Sequence, residues 1–531
     1  MKRLISFFII LICPKLIFAQ PDITVGKPYR VVDAYSKYYF SRGSNVLTLK
    51  IQKRDYIIQK LDGNGLNFIQ EKFYNDMPDD IVIEKITEFN DRYFVFYSLW
   101  DKPNKTEQLF YREIDFEKGT FKDQHVCLLK VQGKITGVPL GSVGYWNYGV
   151  SDKFDFQFSY DRSKILIQYR LKPEIKNDDK NYDIIGMHVL DKDLKTVWQK
   201  EVKMPYTESM MNNIDYSVDS DGNAYILTTV ADETDDPKPK KKHSNYHIEL
   251  LKIQGSAKEI QITPVTLEGK FINSIWLYES PKKTMICAGF YSNIRGNSSV
   301  NGILIFQVGK DGFVASKNSF EIPLELLNQN ASRKEQKKNE KKDAKDAAEF
   351  ENLELRKLEI LEDGSIILAG EQYYTYTVTY TDANGRTSTR TYYCYNDMLL
   401  AKVNPDGKLA WMKKLPKRQV GGAGRGGMSY KFISNKNGIY LVYLDHEKNI
   451  NLSPDEVPVK HQDGAGGFLT AYKVGYNGDV SKISIANMRK VNGFELFQFS
   501  TGRILPISED EFIFEAYKKK KEDVLIKVKL K

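Results

Sequence analysis

The stretch that decides the fold is "KVNPDGKLAWMKKLP", Lys402–Pro416, because the chain repeats it in "VLDKDLKTVWQKEVKMP", Val189–Pro205. In both, a tryptophan (Trp411, Trp198) falls seven places after the first turn residue (Asn404, Asp191). Each phrase reads as strand, tight Gly/Asp turn, strand, with side chains alternating between two faces. Looser copies are "KLDGNGLNFIQEKF", "EIDFEKGTFKDQH", "QVGKDGFVASKNSF" and "KVGYNGDVSKISI". Before each lies a second phrase of the same kind, among them "YSVDSDGNAYILTTV", "LEILEDGSIILAGE" and "KFISNKNGIYLVYL".

Two such hairpins in series make a unit of four strands, here called a, b, c and d. Repetition of four-stranded units around a ring is the pattern of a β-propeller. Counting "YYFSRGSNVLTLKI" near the start, the copies predict an all-β chain with eight blades, with seven as the alternative. The last copy supplies only a, b and c ("ILPIS", "EFIFEAY", "DVLIKVKL"). Its fourth strand is expected from "DITVGKPY" near the beginning, so that pairing of the two ends closes the ring and protects the sheet edges. The repeats resemble those of secreted bacterial propellers, including the Trp-bearing blades of quinoproteins. That resemblance implies a pyrroloquinoline cofactor at the ring centre. The vicinal cysteine pair and the acidic set of the quinoprotein active site are missing, so no cofactor is expected.

The first 19 residues, "MKRLISFFIILICPKLIFA", read as a signal peptide: Lys2 and Arg3, an apolar run, then a small residue, Ala19. The ending "FAQ" resembles signal peptides of Bacteroidota. Ile12 before Cys13 and Pro14 after it exclude a lipobox, and no later run is long and apolar enough to span a membrane. Residues 20–531 are therefore expected as one propeller domain in the periplasm or outside the cell. The formal charge is +9, of which Lys2, Arg3 and Lys15 carry three, leaving +6. That permits an anionic partner without requiring one, and no nucleic-acid partner is expected. Cys127, Cys287 and Cys394 are odd in number and widely spaced, which is not a disulfide framework.

All a–b and c–d turns are short, and every long connection is b–c or d–a. In an up-and-down blade those two classes emerge on one side, so the elaboration decorates one face, where function is to be sought. It includes the charged run 324–352, expected as a solvated helical insertion, and a protruding hairpin, 373–397, "YYTYTVTYTDANGRTSTRTYYCYND". A type I′ turn at Asn384-Gly385 predicts the pairs Tyr376 with Tyr393 and Tyr374 with Tyr395. Tyr374, Tyr376, Val378, Tyr380, Tyr393 and Tyr395 then share one face. Thr375, Thr377, Thr379, Arg390, Tyr392 and Cys394 share the other.

No sequence constellation compels an enzyme. "GAGRGG", Gly422–Gly427, joins strand d to strand a and lacks the βαβ setting of a dinucleotide loop, although Arg425 could touch an anion. "DSDGN", Asp219–Asn223, is explained as turn chemistry rather than calcium binding. His446 and His461 with Asp445 and Asp463 are read as loop residues, not metal ligands. GxSxG, HExxH and Walker sequences are absent from the sequence. The expected binding residues are aromatic and basic: Tyr145, Trp146 and Tyr148 in "GYWNYG", the hairpin's Tyr374, Tyr376, Tyr380, Arg390 and Tyr393, and Arg425. The expected function is non-enzymatic binding of an envelope protein through this face, as scaffold or subunit. The alternatives are an enzyme (hydrolase, lyase or oxidoreductase) with its site at the propeller mouth, or a module binding an extracellular glycan.

Overall fold

The computed structural model describes residues 21–136, 153–172, 180–232, 246–345, 348–422, 427–453, 455–464, 466–498, 500–518 and 520–530. Their strands form eight sheets, numbered here in chain order and antiparallel apart from one short parallel pairing in the sixth. The first sheet runs Ser36–Arg42, Asn45–Gln52, Asp55–Asp62, Asn67–Tyr74, each strand pairing with the next. The second to seventh sheets start at Val82, Asp155, Met211, Phe271, Leu353 and Lys431. The chain is a β-propeller.

One turn recurs between its strands. In Asp219–Asn223, Leu361–Ser365, Asn404–Lys408 and Gly475–Asp479 the fourth amide bonds back to the first carbonyl, and the first amide to the fifth carbonyl. The fourth residue is Gly222, Gly364, Gly407 or Gly478, with φ between 80° and 90°, a conformation only glycine adopts without strain.

Eight apolar clusters lie between consecutive sheets. Leu49, Ile58 and Tyr97 join the first to the second, and Ile367, Leu400 and Leu441 the sixth to the seventh. Val46 and Leu61 meet Ile513 and Leu525 where the eighth returns to the first. First strands of neighbouring sheets also touch each other, which places them innermost. Trp198 donates its indole N–H to Gly222 O at 2.7 Å, in the turn of the next sheet. Trp411 does the same to Tyr476 O at 3.1 Å.

The eighth sheet contains both ends of the described chain. Asp22–Val25 pairs with Glu522–Lys529, as the missing fourth strand required. Tyr29 follows and, with Tyr39 and Lys50 of the first sheet, surrounds Glu515. The three contacts to its carboxylate are 2.7, 2.6 and 2.6 Å.

The charged insertion folds as two helices, Leu324–Asn328 and Arg333–Asp343. Ser332 and Glu335 form a capping box at the second. Lys338 and Lys342 pair with Glu351 and Glu349 on the returning chain, so this polar helix is braced from outside itself. No helix among the described residues is long and apolar enough to cross a membrane.

Candidate functional site: a tyrosine ribbon on the loop face

In the sixth sheet the b and c strands, Ile366–Thr381 and Thr387–Val403, have 16 and 17 residues, while their outer neighbours Leu353–Ile360 and Leu409–Leu415 have 8 and 7. The excess projects as a two-stranded ribbon. Its register differs by one residue from the pairing expected from a type I′ turn. Between Glu371 and Tyr373 a bulge shifts the partners, so Tyr376 faces Tyr392 and Tyr374 faces Cys394. At the tip, Asp382–Arg386 adopts the propeller's own five-residue turn, with Gly385 at φ 76°. The Asp382 carboxylate accepts the amides of Asn384 and Arg386 and locks it.

A one-residue slip exchanges faces. Tyr374, Tyr376, Val378 and Tyr380 share theirs with Arg390, Tyr392 and Cys394, while Tyr393 belongs with the threonines. Tyr376 and Tyr392 stack at 5.1 Å with 18° between rings, and the Tyr380 and Tyr392 hydroxyls lie 2.9 Å apart. The Arg390 guanidinium sits 5.1 Å over the Tyr392 ring. Tyr376 and Tyr380 remain 42% and 47% exposed despite these contacts.

The ribbon widens at its base into a small sheet. Gln419–Gly421 pairs antiparallel with Tyr393–Tyr395 and parallel with His461–Gln462. On the tyrosine face this leaves a recess of about 230 Å³, bordered by Tyr376, Tyr380, Arg390, Tyr392, Lys460 and Gln462.

Beneath the ribbon a buried polar network fixes its foot. Lys417 meets Glu371 at 2.8 Å with neither side chain exposed, and also donates to Tyr395 O and Gln419 Oε1. Burial pushes the Lys417 ammonium below its usual range, and Glu371 opposes that. Ser429 donates to the other Glu371 oxygen, and Lys414 pairs with Asp397. Every carboxylate named here has its own cation. By contrast, Arg390, Arg418 and Lys460 are exposed and have no ion-pair partner among the described residues.

The other expected residues fall out differently. Tyr145, Trp146, Tyr148 and Arg425 lie outside the described residues. His461 is buried, and burial pushes its imidazole down to about 4. His446 accepts the Lys448 amide, and Asp445 holds Lys482 at 2.7 Å and Asn449. Asp219 is occupied by its own turn, accepting from Asn223 and Tyr225. Around the inner strands, burial raises the Glu84 and Asp215 carboxyls to about 7. Glu84 accepts Ser98 and the amides of Lys153 and Phe154, while Asp215 accepts the amides of Tyr216 and Leu277, so both are committed to holding backbone. Sequence reasoning missed Tyr392, Arg418, Lys460 and Gln462. The signal for Tyr392 was present, since "DANGR" is the same turn as "DSDGN".

No family profile matches the chain, and no curated protein matches it significantly. Among solved structures it is similar to the polysaccharide lyase Uly1, at 10% identity and a TM-score of 0.33, over 85% of this chain and 90% of that one. It is also similar to the β-propeller domain of the Trilobed protease from Pyrococcus furiosus, at 10% identity and 0.34, over 87% and 98%. A Pyrococcus horikoshii acylaminoacyl peptidase matches at 11% identity and 0.34, over 94% of this chain and 58% of that one. Likeness at these scores carries no argument about activity.

Proposed function

We propose that this chain is an exported, non-enzymatic propeller of eight blades that binds a protein partner through its loop face, as scaffold or subunit of an envelope complex. The observation that supports this is the tyrosine ribbon. It extends beyond its sheet, presents stacked aromatics and cations to solvent, and is fixed at its foot by a buried network. A rigid aromatic and Arg surface suits recognition, because little side-chain freedom remains to be lost on binding. The deeply buried carboxylates elsewhere serve backbone amides, which fits a scaffold better than a catalyst.

The test is affinity capture from solubilised envelopes with the wild type and a variant whose residues 376–392 are replaced by a short turn. Thermal melts establish that both are folded. A defined protein retained by the wild type and lost from the folded variant supports the reading. Equal capture by both removes the ribbon from the interface.

A further inference from the structure

The ribbon's edges are left open in a way the rest of the molecule avoids. Unpaired strand edges are templates for foreign strands, and proteins blunt them with lysine, proline, bulges or cover. Here the outer strands of the first seven sheets each carry a lysine or a proline, such as Lys72, Lys130, Lys203, Pro264 and Lys317. The ribbon carries neither. Tyr373–Thr381 is uncharged and, like Thr387–Tyr392, is built almost wholly of tyrosine, threonine and valine, the residues that favour extended chain; Arg390 is the single charge. Above the blade, where Leu409–Leu415 covers Met398–Val403, the described residues cover the outer side of the c strand only at Tyr393–Tyr395, by Gln419–Gly421. Among the described residues nothing pairs with the outer edge of Thr387–Thr391.

The exposed charge on the adjoining face is basic, while the one carboxylate lining the recess, Asp463, is buried. Arg390, Arg418 and Lys460 have no ion-pair partner among the described residues, while Glu371, Asp397 and Asp445 behind them are paired inward. Stacking on Tyr392 orients the Arg390 guanidinium and leaves the N–H groups at its rim for a planar anion.

We infer that the partner contributes an extended, acidic segment that adds as a strand to the outer edge of Thr387–Thr391, in line with Gln419–Gly421. Its alternate side chains emerge on the tyrosine face, and its carboxylates meet Arg390 and Lys460 across the recess. Backbone pairing supplies affinity and the cations supply selection, the division of labour in strand-addition complexes. The inference rests on the ribbon being the contact proposed above.

The probe is a short fluorescein-labelled peptide of alternating Val and Glu, compared with its Val/Lys counterpart and with polygalacturonate. The acidic peptide is expected to bind and to slow hydrogen exchange of the amides at 387–391. Combined Arg390→Glu and Lys460→Glu should weaken it about tenfold without changing the melt. The inference is overturned if no peptide binds, if the Lys peptide or the polysaccharide binds as well as the acidic one, or if those amides gain no protection. Applied to the capture experiment, the same charge reversals separate the two ideas. Capture lost on replacing 376–392 but unchanged by charge reversal keeps the ribbon as interface and sinks the acidic strand. Capture unaffected by the replacement sinks the interface itself.

Discussion

Two buried Lys–Glu pairs do different work in this molecule. Lys50–Glu515, at 2.6 Å, lies where the eighth sheet meets the first, and Lys417–Glu371, at 2.8 Å, lies under the ribbon; all four side chains are inaccessible. The closing pair unites groups remote in sequence, Tyr29, Tyr39 and Lys50 around Glu515. It also carries a second carboxylate, Asp523, 3.5 Å from Lys50. The ribbon pair is local, and its lysine is saturated by Tyr395 O and Gln419. Breaking a buried pair costs more than the pair contributes, because one charge is left without compensation. At the closure that cost falls on the whole ring; at the foot it falls on one projection.

The largest effect is expected from Glu515→Ala. It leaves two tyrosine hydroxyls and most of the Lys50 charge unsatisfied and should cost about 3–5 kcal/mol in denaturant unfolding. Amides of Asp22–Val25 should exchange faster than the rest of the sheet. A loss below about 1 kcal/mol would mean that the apolar seam closes the ring unaided. Lys417→Met should follow at about 3 kcal/mol or less, since Glu371 keeps its bond from Ser429 and its ion pair with Arg356. Its signature is local, with exchange quickening at 387–395 while 22–25 stays protected. Loss of protection at both places would erase the distinction between the two pairs.

The pH dependence sharpens the comparison next. Burial, reinforced by Glu515, raises the Asp523 carboxyl from 3.8 to about 6. A raised carboxyl favours the protonated folded state, so its contribution is full below pH 3.8 and is lost as pH rises through 6. Burial also pushes Glu515 up, but Lys50, Arg503 and Lys37 overcome it and hold the group at about 2 against an ordinary 4.5. Its contribution is full above pH 4.5 and is lost as pH falls through 2. Between pH 4.5 and 7 stability should therefore decline by about 2 kcal/mol from Asp523, and Asp523→Asn should remove that share of the slope, leaving the share from Glu84 and Asp215. An unchanged slope would place the titration elsewhere, with Glu84 and Asp215 the next groups to substitute.

The smallest stability effect belongs to Tyr376→Ala, about 1 kcal/mol or less, because the stack it breaks is solvent-exposed. Its effect on partner capture should be the larger one. A melt shifted as far as that of Lys417→Met would make the tyrosine face structural support rather than contact.

Much of the propeller was legible because its signals are local. Period-two strands, Gly-bearing turns and alternating short and long connections can be read without knowing what packs where. Even the pairing of Asp22–Val25 with the last strand follows from counting strands and finding one missing. The ribbon's existence and the residues of its tip were equally plain. Its register was not, since Asn384-Gly385 suits two turns, and the choice between them was made by the Asp382 carboxylate and the bulge between Glu371 and Tyr373. One residue of slip moved Tyr392 onto the tyrosine face and Tyr393 off it. Arg418 and Lys460 joined that face only because Gln419–Gly421 and His461–Gln462, far apart in sequence, pair in parallel beside the ribbon. The sequence determined the strands and the pairing of the two ends, which depend on neighbours along the chain and on counting its repeats. The tertiary structure alone decided which charges are paired and which are presented, because an ion pair is made by distance in space.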